Sequence, residues 1–339
     1  MKISALKLGI AIAIVSAPVF ADPLVATALP LPGGNGPASL DYIFHERGHD
    51  RIWVPAGSTG SVDVLDVASG AFTRIEGFTT AEREGHGKKR VVGPSAGSAG
   101  EGFAYVGNRA TSEVCPIDVK TLKTGACVKL PSSTDGVVYV APSKEVWVTL
   151  PHEQSLAVLD ASVPAVLKLK TVFKVPGEPE GYAVDAAHGV FMTNLEDKGD
   201  TLQIDIKTHL TKATWNAKCG PDGPRGVAFD SRHDFVLVAC TDHVQVLDAA
   251  HGGALLGKLD TGAGVDNIDY VTDTGLVYAA AGKAARLTVA RLDAKGQLAV
   301  VATAPTSAGA RNVVSDAHGN AYVGDSERAR LLVFKATPK

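Results

Sequence analysis

After its first 21 residues the sequence has no apolar run long enough to cross a membrane, and the chain as a whole carries no excess of basic residues. Lysine and arginine together number 33, against 36 aspartates and glutamates, which gives a formal net charge of −3. A membrane-spanning helix needs roughly 18 or more consecutive apolar residues, and a general nucleic-acid binder usually shows a strong basic excess. We therefore expect no membrane span in the mature chain and no nucleic-acid partner.

Methionine is scarce, at two residues, whereas glycine numbers 36 and proline 18. This balance fits many short strands joined by tight turns better than it fits helices. Since all-β folds often run longer than other domains as one unit, we expect residues 22–339 to form a single all-β domain.

The N-terminal segment has the features of a signal peptide. Lys2 and Lys7 flank a short polar start, the run from Leu8 to Phe20 is apolar except for one serine, and small residues at Val19 and Ala21 precede a cleavage point. Removing residues 1–21 leaves 31 basic against 36 acidic residues, a net charge of −5. We expect a periplasmic or secreted protein that is a monomer.

The rest of the chain contains an internal repeat. Short segments rich in β-branched and aromatic residues recur seven times, and a period near ~40–45 residues that holds about four strands is typical of a β-propeller. The segments are 51–54, 103–106, 145–148, 190–193, 235–238, 276–279 and 320–323. The last repeat breaks off after Leu331–Phe334, so we predict that the spare segment Leu24–Leu29 supplies its missing outer strand and closes the ring.

The repeats resemble the YVTN family of β-propellers, including its bacterial periplasmic YncE-like members. The resemblance rests on motifs such as Gly309-Ala310-Arg311-Asn312-Val313-Val314-Ser315-Asp316 followed by Ala321-Tyr322-Val323-Gly324. It implies a seven-bladed propeller. Such families include ligand binders, surface proteins and a few enzymes, so the resemblance leaves the function open.

A charged residue recurs where six of the seven repeats begin their first strand. These residues are Arg90, Asp135, Glu180, Arg225, Asp266 and Arg311. One interpretation is a set of ion pairs that plugs the channel. The other is a polar pocket at the channel mouth that binds a small anionic ligand or a protein partner. On the second interpretation the chain is an exported binding or interaction module.

Most of the ten histidines fall at recurring turn positions, for example His49, His188, His233 and His318. His86 and His152 escape this pattern and are predicted to join the ligand-binding residues, because both belong to connections on the mouth side. An insertion after the first repeat spans residues 79–90 and ends in the basic run Lys88–Arg90. The small-residue run 95–100 that follows it is interpreted as a flexible bulge.

The alternative function is a metal-dependent hydrolase. Propellers that resemble gluconolactonases hold a divalent cation above the channel with carboxylate and asparagine oxygens, and Glu180, Asn194, Asp266 and Asn267, with Asp135, could imitate that set. Oxygen ligands suit calcium, magnesium or manganese, and a bound cation could polarise a lactone carbonyl. Arg225 and Arg311 in the same ring would repel a cation, so binding ranks above catalysis.

The repeat also selects the pairing of the four cysteines, for which three pairings are possible. Cys115 and Cys127 flank one outer hairpin and face each other across it. Cys219 lies in the loop before blade five and Cys240 ends the second strand of that blade. We predict the disulfides Cys115–Cys127 and Cys219–Cys240, which an oxidising compartment favours.

Overall fold

The computed structural model describes residues 24–85 and 88–336, which form seven four-stranded antiparallel sheets and one separate two-stranded hairpin. The inner strands of consecutive sheets contact one another in chain order, and the last sheet returns to the first. The protein is therefore an all-β, seven-bladed propeller, as the repeat predicts. The predicted signal peptide lies outside the described residues. Within the described residues, no helix has the length and apolarity needed to span a membrane.

The strands of a blade are ordered from the channel outward, and β1 (Ala26–Pro30) precedes the first blade. Blade one contains β2 (Phe44–Glu46), β3 (Arg51–Ala56), β4 (Ser61–Asp66) and β5 (Phe72–Ile75). The separate hairpin consists of β6 (Ala81–Gly85) and β7 (Lys88–Val92). Blade two contains β8 (Pro94–Gly100), β9 (Phe103–Asn108), β10 (Glu113–Asp118) and β11 (Val128–Lys129).

The remaining blades follow the same order. Blade three contains β12 (Val137–Val140), β13 (Glu145–Leu150), β14 (Ser155–Asp160) and β15 (Lys168–Lys174). Blade four contains β16 (Pro179–Asp185), β17 (Val190–Leu195), β18 (Asp200–Asp205) and β19 (Thr211–Asn216). Blade five contains β20 (Pro224–Asp230), β21 (Phe235–Cys240), β22 (His243–Asp248) and β23 (Ala254–Asp260). Blade six contains β24 (Ile268–Val271), β25 (Leu276–Ala281), β26 (Arg286–Leu292) and β27 (Leu298–Pro305). Blade seven contains β28 (Val313–Ser315), β29 (Ala321–Asp325) and β30 (Arg330–Phe334). In the part of the chain that the structure describes, three single 3₁₀ turns occur, at Gly57–Thr59, Pro151–Glu153 and Ser326–Arg328.

The seven repeated segments are the second strands of the blades. Six begin at the predicted residue, and the seventh begins at Ala321 instead of Asn320. All six residues of β13, of β17 and of β21 are buried, because neighbouring blades cover both faces of these strands. Trp147 of blade three, for instance, stacks on Phe191 of blade four with ring centroids 4.7 Å apart. A strand that is covered on both faces has a continuous run of apolar residues in the sequence, and these runs are what the repeat consists of.

The N-terminal strand closes the ring, as predicted. β1 pairs antiparallel with β30, in a register that runs from Ala26 opposite Phe334 to Pro30 opposite Arg330. Blade seven thereby gains its fourth strand from the opposite end of the chain. Without β1, β30 would be an unpaired edge strand. By pairing with β30, β1 prevents that edge from pairing with another molecule.

The small-residue run 95–100 is not a flexible bulge, so that prediction was wrong. It belongs to β8, the first strand of blade two. A Cβ on Gly97 would lie 2.5 Å from the ring of Phe44, and one on Gly100 would lie 2.0 Å from the ring of Tyr139. The missing side chains therefore make room for aromatic rings from blades one and three.

Both predicted disulfides are present. The sulfur atoms of Cys115 and Cys127 are 2.04 Å apart, and those of Cys219 and Cys240 are 1.98 Å apart. Two disulfides indicate an oxidising environment. The turn role of the recurring histidines is also confirmed, since the ring Nδ1 of His188 lies 2.7 Å from a carboxylate oxygen of Asp185 within its own turn.

Candidate functional site

The channel mouth is the end of the channel where the loops lead into the first strands and out of the second strands. In blade four a β-bulge between Glu180 and Ala183 interrupts the pairing at the start of β16, and such a bulge re-aims the local side chains. Gly181 has a φ of 63°, and a Cβ there would lie 2.5 Å from the carbonyl oxygen of Arg225. Glycine at this position lets the backbones of blades four and five approach closely at the mouth.

Eight charged residues meet at the mouth, and we call them the mouth cluster. They are Asp41, Arg109, Asp135, Glu180, Glu196, Arg225, Asp266 and Arg311. Five of them are residues that the repeat predicts for the start of a first strand. The structure therefore brings together Asp135, Glu180, Arg225, Asp266 and Arg311.

The position predicted for Arg90 needs correction. Arg90 lies on β7 of the hairpin and is exposed, and the first strand of blade two begins later, at Pro94. The residue of blade two that occupies the repeated position is Ser95, whereas blade one places Asp41 there. The insertion obscured this register, because its length shifts the apparent start of the second repeat.

Arg109 is the central cation of the mouth cluster, and the sequence interpretation missed it. It directly follows β9, and its Nη2 atom contacts carboxylate oxygens of both Asp41, at 2.6 Å, and Asp135. These side chains come from three consecutive blades, and each is at most 15% exposed. The charged residue after a second strand is a signal that could have identified both Arg109 and Glu196.

Two further arginines neutralise the other side of the mouth. Arg311 lies 3.2 Å from Asp266 and 3.8 Å from Asp41, and Arg225 lies 2.5 Å from Glu196. Burial opposes ionisation of Asp41, but Arg109 and Arg311 outweigh it and hold the pKa of this carboxyl below its ordinary value.

Glu180 differs from the other carboxylates of the mouth cluster. No basic side chain among the described residues lies within 4.0 Å of it, whereas Asp41, Asp135, Glu196 and Asp266 each have an arginine partner. Burial, together with the negative charges of Asp266, Asp41 and Glu196, raises the pKa of Glu180 to about 8. Glu180 is thus a carboxyl group that is largely protonated at neutral pH.

Tyrosines lie directly beneath the charged groups. The hydroxyl of Tyr42, on blade one, donates to Oε1 of Glu180, on blade four, at 3.2 Å. The ring of Tyr42 also packs against that of Tyr182, with centroids 5.6 Å apart. Burial and the nearby carboxyl of Glu180 raise the pKa of Tyr42 well above its ordinary value. The two rings line the cavity that lies below the mouth cluster.

The asparagines near the mouth link neighbouring blades. Asn194 donates to the carbonyl oxygen of Arg225 at 2.6 Å and accepts from the hydroxyl of Thr201 at 2.6 Å. Asn267 accepts from the backbone NH of Val313 at 3.0 Å. The side-chain oxygens of Asn194 and Asn267 are therefore already engaged within the protein.

The two histidines singled out from the sequence are not part of the described cluster. His152 lies exposed in the 3₁₀ turn Pro151–Glu153, and in the described part of the chain it forms no hydrogen bond or ion pair with the mouth cluster. His86 lies outside the described residues. The described contacts therefore do not support a ligand-binding role for His152, and the role predicted for His86 stays a prediction.

Two short sequence patterns match catalytic signatures in spacing only. Residues 45–49 read His-Glu-Arg-Gly-His, but they occupy a strand end and a turn, where His45 binds Asp50 and His49 binds Glu46. A zinc-binding His-Glu-x-x-His needs a helix to bring both histidines to one face. Residues 93–97 read Gly-Pro-Ser-Ala-Gly. A nucleophile elbow requires an exposed serine on a turn from a strand into a helix, whereas Ser95 is buried in β8 and the next element is the strand β9.

One group of potential metal ligands converges in the described residues, and it lies away from the mouth. Asp185, His188 and Asp234 bring ligand atoms within 4.8 Å of one another in turns on the opposite face. Asp185 already binds the backbone and ring of His188. This group therefore consists of the recurring contact between an aspartate and a histidine in one turn, with Asp234 from the next blade beside it.

Comparison with known proteins shows the fold and no family. A chain from the crystal structure of the mitotic checkpoint complex matches with a TM-score of 0.72 and 13% identity over 100% of this chain and 99% of that one. Hydrazine synthase from Kuenenia stuttgartiensis matches with a TM-score of 0.73 and 14% identity, over 96% of this chain and 100% of that one. Virginiamycin B lyase from Staphylococcus aureus matches with a TM-score of 0.70 and 10% identity, over 93% of this chain and 100% of that one. No protein-family model matches the sequence, and neither does any curated protein.

Proposed function

We propose that this propeller is an exported binding module of the YncE-like kind that holds a small anionic ligand at its channel mouth. The observation that carries the proposal is Glu180, a carboxyl without a basic partner among the described residues and with a pKa raised to about 8. Because it is protonated at neutral pH, it donates a hydrogen bond to an anion where an ionised carboxylate would repel one.

The charge of the ligand is matched by arginines that remain accessible. The side chains of Arg225 and Arg311 are 25% and 48% exposed, although each also pairs with a carboxylate. Guanidinium groups bind carboxylates and phosphates through two parallel N–H donors. Exposed Arg90 on the neighbouring hairpin adds a further positive charge that acts on Asp41, Arg109 and Arg311. The predicted signal peptide and the two disulfides support a periplasmic or secreted location.

The proposal is tested by calorimetric titration with acetate, succinate, citrate and inorganic phosphate at pH 6, 7 and 9. We expect at least one anion to bind at pH 6–7 and to bind at least tenfold more weakly at pH 9, where Glu180 is ionised. Arg311→Met should weaken binding at least tenfold. Arg232→Met is the matched control, because Arg232 is also 48% exposed but lies on the opposite face. Absence of anion binding, or equal binding by the Arg311 variant, would refute the proposal.

A metal-dependent hydrolase of the lactonase type is the second candidate. The raised pKa of Glu180 favours it, since a general acid or base works best when its pKa is near the working pH. The donor set does not fit a divalent cation, however. The oxygens of Asn194 and Asn267 are engaged, and Arg311 lies 3.2 Å from Asp266. Metal analysis after purification without chelator decides between the two, since a stoichiometric cation would favour the hydrolase.

A further inference from the structure

One cavity lined by described residues lies beneath the mouth cluster and not in it. It encloses about 790 Å³ and runs from Tyr42 and Tyr182 to Arg47 and Glu101, which lie in turns on the opposite face. None of the eight mouth-cluster residues lines it. The volume falls within the range of roughly 300–1,000 Å³ that is typical of small-molecule sites. The cavity is thus lined by other residues than those of the mouth cluster, and it extends to the opposite face.

The walls of this cavity suit an apolar body. Val138, Val184 and Ala228 line it from the first strands of blades three, four and five, and each keeps part of its surface accessible. The rings of Tyr42 and Tyr182 form its inner end. Aromatic faces attract cations as well as apolar groups.

The charges of the cavity favour a cation. Its lining contains the carboxylates of Glu46, Glu101 and Asp269 but the guanidinium of Arg47 alone. Asp269 is the carboxylate on the first strand of blade six, near the inner part of the channel. Its Oδ2 accepts from the backbone NH and hydroxyl of Ser315, at 2.7 and 2.5 Å, and its Oδ1 accepts from the backbone NH of Tyr270 at 3.0 Å. No basic side chain of the described residues lies within 4.0 Å of Asp269, so the lining provides a fixed carboxylate without a counterion.

We propose that the channel binds a small organic cation with an aromatic or aliphatic body, which enters from the face opposite the mouth. Its ammonium group lies against Asp269, and its body packs along Val138, Val184 and Ala228 toward the two tyrosines. This site is independent of the anion site proposed at the mouth, and a protein with both would bind ligands of opposite charge at opposite ends of one channel.

The test uses three probes with one phenyl body and different head groups: phenethylamine, 2-phenylethanol and 3-phenylpropionate. Titration of the mature protein at pH 7, followed by calorimetry and ligand-observed NMR, should show phenethylamine binding at least tenfold more tightly than the alcohol, and the acid binding most weakly. Asp269→Asn should remove this preference, because it deletes the charge and keeps the shape. Asp273→Asn is the control, since Asp273 lies in the turn after the same strand, is 90% exposed and does not line the cavity.

A second variant blocks the cavity sterically. Ala228→Trp should abolish phenethylamine binding in protein that retains its native circular dichroism, and if this variant fails to fold, Asp269→Asn still decides. Arg311→Met, which acts at the mouth, should leave phenethylamine binding unchanged, so the two proposals fail separately. The proposal is overturned if phenethylamine does not bind, if the three probes bind equally, or if Asp269→Asn binds like the wild type.

Discussion

The Tyr42 hydroxyl on blade one lies 3.2 Å from Oε1 of Glu180 on blade four, so one hydrogen bond spans the channel. Above it lie the ion pairs of the mouth cluster, and below it lies the cavity of about 790 Å³. The contact therefore links the mouth cluster, through Glu180, to the cavity lining, through Tyr42. It also fixes the one carboxyl of the mouth cluster that has no arginine partner among the described residues.

The protonation of Glu180 predicts how stability depends on pH. Its pKa is about 8 in the folded protein, against an ordinary value of 4.5. Between these two values the unfolded chain loses a proton that the folded chain keeps, so stability falls as the pH rises. Relative to Glu180→Gln, the wild type should lose about 2–4 kcal/mol of unfolding free energy between pH 5 and 9, since one pKa unit corresponds to roughly 1.4 kcal/mol. Urea unfolding at both pH values measures this. Exposed Glu153→Gln should follow the wild type, and parallel curves for Glu180→Gln would contradict the assignment.

Replacement of Arg109 tests whether the ion pairs hold the mouth together. Arg109→Met leaves the buried carboxylates of Asp41 and Asp135 without their shared cation, apart from Arg311 at 3.8 Å from Asp41. Removing one partner of a buried pair costs roughly 3–5 kcal/mol. Thermal and urea unfolding should show a loss of this size. Arg328→Met, at a 57% exposed side chain, should change the unfolding free energy by less than about 0.5 kcal/mol. A similar small effect at Arg109 would show that the cluster is solvated.

The two disulfides should differ in their effect on the mouth. Cys240 pairs across the sheet with Pro224, and the next residue is Arg225, so the Cys219–Cys240 bond restrains the loop that positions this arginine. Replacing either pair of cysteines by serine should cost about 2–4 kcal/mol. Anion binding should weaken only when the Cys219–Cys240 pair is replaced. The Cys115–Cys127 double variant is the internal control, and equal loss of binding in both variants would argue against a positioning role.

The closing strand provides a test of the ring. Removal of residues 22–30 deletes β1 and leaves β30 as an unpaired edge, which invites pairing with another molecule. We expect a broader unfolding transition and concentration-dependent aggregation, measured by calorimetry and light scattering. Val25→Ser, at a residue that is 78% exposed just before β1, should leave both unchanged. A truncated protein that stays monomeric and melts like the full mature chain would refute the closure role.

Part of the candidate site could be predicted because the repeat assigns each residue a place in its blade. Asp135, Glu180, Arg225, Asp266 and Arg311 share one repeat position, and ring symmetry brings that position to the mouth five times. Arg90 was misplaced because an insertion precedes the first strand of blade two. The small-residue run 95–100 was misinterpreted because its glycines make room for rings from other blades, and such contacts leave no local pattern in the sequence.

The seven blades, the closing strand and both disulfides can be inferred from the amino-acid sequence alone, because burial of each second strand on two faces repeats an apolar pattern along the chain. Which charged groups meet, and which of them ionise, depends on the folded arrangement of the blades. Arg109 joins Asp41 and Asp135 across three blades, and Glu180 keeps its proton because Asp41 and Asp266, distant in the chain, lie beside it in a buried place. Electrostatic energies depend on distance and solvent exposure, and folding sets both.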